Sequence, residues 1–127
     1  MDKTLLVAAE VAAGSRLLEA LDHSDLTIEV ALWLNLAEYD DWRLLLASRR
    51  LDAANPTGAY GLVHDAFERE GILLEHTPTL LILKMTDPFI KDLRRTFGKT
   101  KNVEGMRLGG QMFGDRFVQD GLVLRIR

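Results

Sequence analysis

The chain contains no cysteine, and that one absence removes disulfides, thiolate metal sites and thiol nucleophiles together. Long apolar runs are missing as well. Charges at Glu10, Arg16 and Glu19 interrupt the first hydrophobic stretch, and nothing approaches the roughly 20 residues that span a bilayer. Asp2 precedes Lys3, and no uncharged segment ends in a small-residue cleavage site. A secretory leader is therefore not expected, and a cytoplasmic location without a membrane partner is. There is no Gly-x-Gly-x-x-Gly, no phosphate loop and no Gly-x-Ser-x-Gly elbow. Dinucleotide, nucleoside-triphosphate and serine-hydrolase chemistry thus lose their usual signatures, and no cofactor is expected.

What is present fits one ordinary domain, residues 1–127, with 47% apolar and 28% charged side chains. Leu6, Ala9, Ala13, Leu17 and Leu21 recur at helical spacing and predict an amphipathic helix over residues 4–21, weakened by Gly14. Leu26, Ile28, Val30, Leu32, Leu34 and Leu36 then alternate with Thr27, Glu29, Ala31, Trp33 and Asn35, the period of a strand. A second strand from Trp42 to Arg49 follows a short turn, so the two pair antiparallel. Facing Leu36 with Trp42 puts Leu34 opposite Leu44, and on the reverse face it lines up Trp33 with Leu45 and Glu29 with Arg49.

Asn55-Pro56 and Asp87-Pro88 are helix starts, closed by Gly71 and Gly98, with an apolar strand over residues 79–85 between them. The last 25 residues read as a hairpin. Met106, Leu108 and Met112 form one apolar set, Leu122, Leu124 and Ile126 the other, and the loop is Gly114-Asp115-Arg116. The order α-β-β-α-β-α-β-β predicts an α+β domain with helices packed on a mainly antiparallel sheet.

The run Trp42-Arg43-Leu44-Leu45-Leu46-Ala47-Ser48, with Pro56, Tyr60, Met85-Thr86-Asp87-Pro88-Phe89-Ile90 and the closing Leu124-Arg125-Ile126, resembles a family of small uncharacterised bacterial proteins. The resemblance implies a bacterial source and brings no activity with it.

Charge is divided along the chain. Residues 1–83 hold six basic and fourteen acidic side chains, and residues 84–127 hold ten and five. In the basic third, Lys91, Arg94, Arg95, Lys99 and Lys101 surround one short helix. Arg107, Gln111, Gln119, Arg125 and Arg127 would share the outer face of the last hairpin with Phe117, which could stack on a base. Against nucleic-acid binding stand the net charge of −3, the favourable placement of cations late in a helix, and helix-spaced pairs such as Asp92 with Arg95.

The reverse face of the first hairpin, with Trp33 beside Leu45, is too apolar to face water; another part of the chain or a second subunit must cover it. An enzymatic reading would start from Glu38, Asp40 and Asp41 in the first turn, or from His64, Asp65 and Glu68 on the second helix. Neither set has the spacing of a metal site or of a catalytic pair, and His23 and His76 add no matching ligands, so no catalytic or metal residue is assigned.

These observations favour a non-enzymatic interaction module that is homodimeric or binds another protein. Trp33, Leu45, Glu29 and Arg49 would make the contact, by that sheet face or by an exposed sheet edge. Nucleic-acid binding is the second reading. A metal-dependent hydrolase is the third and weakest.

Overall fold

The computed structural model describes residues 8–39 and 41–127; the expected helix positions 4–7, including Leu6, and Asp40 of the first turn lie outside them. The elements are α1 (Ala8–His23), β1 (Val30–Leu36), β2 (Arg43–Ala47), α2 (Arg49–Asp52), α3 (Pro56–Arg69), β3 (Leu80–Ile82), α4 (Pro88–Phe97), β4 (Arg107–Leu108), β5 (Gln111–Phe113) and β6 (Arg116–Ile126), with a 3-10 turn at Leu74–His76. This is an α+β fold.

Local chemistry starts the helices as expected. The Asn55 side chain accepts from Gly58 N–H at 2.7 Å, and Asp87 accepts from Phe89 N–H at 2.9 Å, each with proline at the next position. The short α2 was not foreseen. Ser48 caps it, accepting from Leu51 N–H at 3.2 Å and donating to the Leu26 carbonyl at 2.9 Å. A serine at the end of an apolar strand thus ends that strand by starting a helix.

β1 lies at the centre of one sheet. β2 and β6 flank it, both antiparallel; β3 joins β2 in parallel, and β4 and β5 both pair with β6. All seven β1 residues are buried, because helices cover both faces. On one side Ala31, Trp33, Leu44, Leu46, Leu122 and Leu124 pack under α1 and α3. On the other, Val30, Leu32, Leu34, Leu45, Val118 and Val123 pack under Phe89, Ile90 and Leu93 of α4. A strand buried on both faces reads as a continuous apolar run, which is why β1 and β2 show so little polar alternation.

That lack of alternation explains one correction. β1 and β2 pair one residue away from the expected register: Trp33 faces Leu44, Ala31 faces Leu46 and Leu32 faces Leu45. Leu44, Leu45 and Leu46 are apolar at every position, so a one-residue slip exposes nothing polar, yet it moves each side chain to the other face.

The last hairpin also differs. Its turn is the two residues Gly114-Asp115, because Phe113 pairs with Arg116. Its first arm breaks into β4 and β5 at Gly109-Gly110, where Gly110 takes φ +66°. The break reverses the alternation, so Leu108 and Phe113 are both buried while Met112 turns outward.

Candidate functional site

The expected contact surface at Trp33 and Leu45 is not a surface. Trp33 is 3% exposed and lies under α1, so close that a β-carbon at Gly14 would sit 2.5 Å from its Nε1. Leu45 is fully buried on the opposite face of the sheet. Another element of the chain, not a second subunit, covers Trp33. Glu29 and Arg49 do meet: Arg49 N–H donates to Glu29 Oε1 at 3.3 Å, and the guanidinium lies 3.4 Å from Oε2. With the Ser48 cap beside it, this contact fixes the strand-to-helix corner.

The basic third is largely answered by carboxylates. Arg125 forms a two-pronged pair with Asp22 and also donates to the Ile28 carbonyl at 3.1 Å. Arg107 donates to Asp120 at 2.7 Å, Arg116 lies 3.6 Å from Glu38, and Arg95 pairs with Asp92. Arg94 donates to the Arg127 carbonyl at 2.7 Å. Asp92 also accepts from Gly114 N–H at 2.8 Å; that bond is the main reason its carboxyl is held below its ordinary pKa, with Arg95 adding to it. The Asp22 and Glu38 pairs join the basic third to the acidic two-thirds, so part of the charge division is resolved within the fold. Lys91, Lys99 and Lys101 are exposed and make no ion pair with another described residue.

His64 is half-buried, edge-on to Phe67 with ring centroids 6.4 Å apart. With Glu68, Ile72, Leu73 and Thr77 it lines an open cleft of about 300 Å³. Glu38 and Asp41 are exposed at the first turn and face Arg116 and Arg43. Among the described residues no three His, Asp or Glu side chains gather as metal ligands, and no helix is long and apolar enough to cross a membrane.

The feature that distinguishes the surface lies on the last hairpin. Met112 and Phe117 are direct cross-strand partners, 58% and 44% exposed. Phe117 was legible as an outward residue from the sequence. Met112 was not, because unbroken alternation from Met106 places it inward and only the Gly109-Gly110 break turns it out. Beside the pair, no strand among the described residues lies on the outer side of β5. Phe113 and Arg116 close a two-residue turn and form the hydrogen-bonded pair, so in the next pair the N–H and C=O of Met112 point away from β6. An apolar pair thus borders the two outward backbone groups of Met112, while the next outward amide, Gly114 N–H, is held by Asp92 of α4. Comparison with protein-family models, curated proteins and solved structures found no match.

Proposed function

We propose that the protein is a non-enzymatic interaction module of the bacterial cytoplasm that assembles as a homodimer through the β5–β6 hairpin. The observation that carries this reading is the exposed Met112–Phe117 pair. A methionine and an aromatic ring adjoining on one face are the side chains that interface centres favour. The surrounding residues supply a polar rim: Gln111, Gln119 and the Arg107–Asp120 pair.

The patch is small, so a dissociation constant in the range of about 1–100 μM is expected. Sedimentation equilibrium over a concentration series tests the reading. A dimer that Phe117→Asp converts to a folded monomer supports it; a wild type that stays monomeric throughout that range refutes it. Nucleic-acid binding through Lys91, Arg94, Arg95, Lys99 and Lys101 is the alternative, supported by the lysines that have no ion-pair partner among the described residues. Its weakness is that Arg95, Arg107 and Arg125 already hold carboxylates.

A further inference from the structure

The loop that leaves α4 and the end of β6 form an open cleft of about 340 Å³, a volume at the lower end for small-molecule sites. Its floor is apolar, made by buried Val103 and Ile126. Its rim is polar. Thr100, Asn102 and Glu104 alternate along the loop, and Arg127 joins them just past β6. Asn102 takes φ +62°, the left-handed region that asparagine tolerates better than most residues, and there the loop changes direction.

The charges at this cleft are of two kinds. Arg125 in its wall is already spent on Asp22 and the Ile28 carbonyl, so it supplies a fixed surface and no free charge. Arg127, Lys99 and Lys101 are exposed and make no ion pair with another described residue. The two lysines flank Thr100 on the loop, and Arg94 bonds the Arg127 carbonyl at 2.7 Å, bringing a fourth cation beside the third. Ammonium and guanidinium groups gathered at a concave site attract a dianion. Glu104 is the one acid on the rim, and it too makes no ion pair with another described residue. It would repel a bare anion, but its carboxylate accepts hydrogen bonds from hydroxyl groups. A ligand that satisfies both ends carries a phosphate at one and hydroxyls at the other.

We infer that this cleft binds a phosphomonoester with free hydroxyls, the chemistry shared by a sugar phosphate and a mononucleotide. Lys99, Lys101 and Arg127 hold the phosphate, and Glu104 holds the hydroxyls. The site is independent of the homodimer reading, since Phe117 lies at the start of β6 and Arg127 beyond its end.

Amide nuclear magnetic resonance titrations with inorganic phosphate, ribose 5-phosphate and adenosine 5′-monophosphate test this, because they locate binding as well as measure it. Saturable shifts confined to residues 99–104 and 125–127 are expected. Ribose 5-phosphate should bind about 10-fold more tightly than phosphate, the scale of one hydrogen bond to a charged group. Tighter binding again by adenosine 5′-monophosphate assigns a mononucleotide; equal binding assigns a sugar phosphate. Lys101→Gln and Arg127→Gln should each weaken all three and flatten the dependence on salt. Glu104→Gln should act with two signs: phosphate binds more tightly once the repulsion is gone, while ribose 5-phosphate loses its advantage. That split is not what loss of folding would give. All three positions are exposed, and the amide spectrum of each variant verifies the fold. No saturation with any probe by about 10 mM, or shifts centred elsewhere, overturns the site. Equal binding of phosphate and ribose 5-phosphate by the wild type, or an unchanged preference in Glu104→Gln, overturns the proposed ligand.

Discussion

Asp22 and Arg125 meet through two parallel hydrogen bonds of 2.8 Å each, although 103 residues separate them in the chain. The pair fastens the end of α1 to β6. Arg125 is 14% exposed, and it also holds the Ile28 carbonyl at the entry to β1. Its hydrogen bond to Arg125 is the main reason the Asp22 carboxyl sits below its ordinary pKa, and the same contact raises Arg125. A carboxylate with a depressed folded pKa contributes stability that is present above its unfolded value and lost as pH falls through the folded one. Asp22 is more than a third exposed, so solvent screening reduces the contribution. Asp22→Asn is expected to cost about 1 kcal/mol at neutral pH. Urea denaturation should show the gap between the two proteins closing below the ordinary carboxylate range.

Gly14 and Gly61 should respond oppositely to the same change. Both lie in helices, where alanine is favoured over glycine by about 1 kcal/mol. At Gly61 a new β-carbon meets nothing within 4 Å, so Gly61→Ala should stabilise by about 0.5–1 kcal/mol. At Gly14 the new carbon would lie 2.5 Å from Trp33 Nε1 and 3.1 Å from Leu124 Cδ1. Relieving that overlap means lifting α1 off the sheet, and overpacking of this kind costs about 1–3 kcal/mol. Chemical denaturation midpoints that move the same way for both variants would contradict the packing of α1 on Trp33.

This contrast also shows what the sequence holds and what it does not. Composition and alternation were enough to locate β1, β2, α3 and α4, because each is announced by a period or by a cap-and-proline pair. Gly14 reads from sequence only as a local penalty; its reason is a tryptophan nineteen positions away in the chain. Alternation puts the β1–β2 register one residue off, because both strands are apolar on both faces, and so it names Leu45 where the structure has Leu44 opposite Trp33. In the candidate interface, Phe117 followed from alternation. Met112 depended on a glycine break whose effect on the strand is set by pairing with β6. Ion pairs such as Asp22 with Arg125 leave no local sequence signal, since nothing near either residue points to the other.

His23, next to Asp22, gives a second pH-dependent tie with the opposite sign. Its Nδ1 lies 3.0 Å from Glu70 Oε1, joining the end of α1 to the end of α3. That hydrogen bond is the main cause of the raised His23 pKa, with the Glu70 charge adding to it. A histidine raised in the folded state contributes stability that is fully present below its unfolded pKa and is lost as pH rises through the folded value. Nuclear magnetic resonance titration of the imidazole should therefore show a pKa above the ordinary histidine value, falling toward it in Glu70→Gln. An unchanged titration in that variant would show that the contact is not formed in solution.

The opposite edge of the sheet is closed by a side chain. β3 is bonded to β2 on one side, as in the 3.1 Å bond from Leu83 N–H to the Leu46 carbonyl. On its outer side, Ile82 N–H donates to the Tyr60 hydroxyl at 3.1 Å. Tyr60 comes from α3, packed beside β3, so the helix that covers the sheet face also occupies a donor that a strand from another molecule would otherwise bond. Tyr60→Phe keeps the ring and removes only the acceptor. It should cost about 1 kcal/mol, the usual net value of a neutral hydrogen bond. Amide exchange gives the sharper reading: the Ile82 amide should lose protection in the variant while the Leu83 amide keeps it. Equal loss at both would mean that Tyr60 holds β3 by packing and that its hydroxyl does not guard the edge. If the hydroxyl does guard it, the variant should also begin to self-associate in a manner that Phe117→Asp does not suppress, separating this edge from the β5–β6 hairpin.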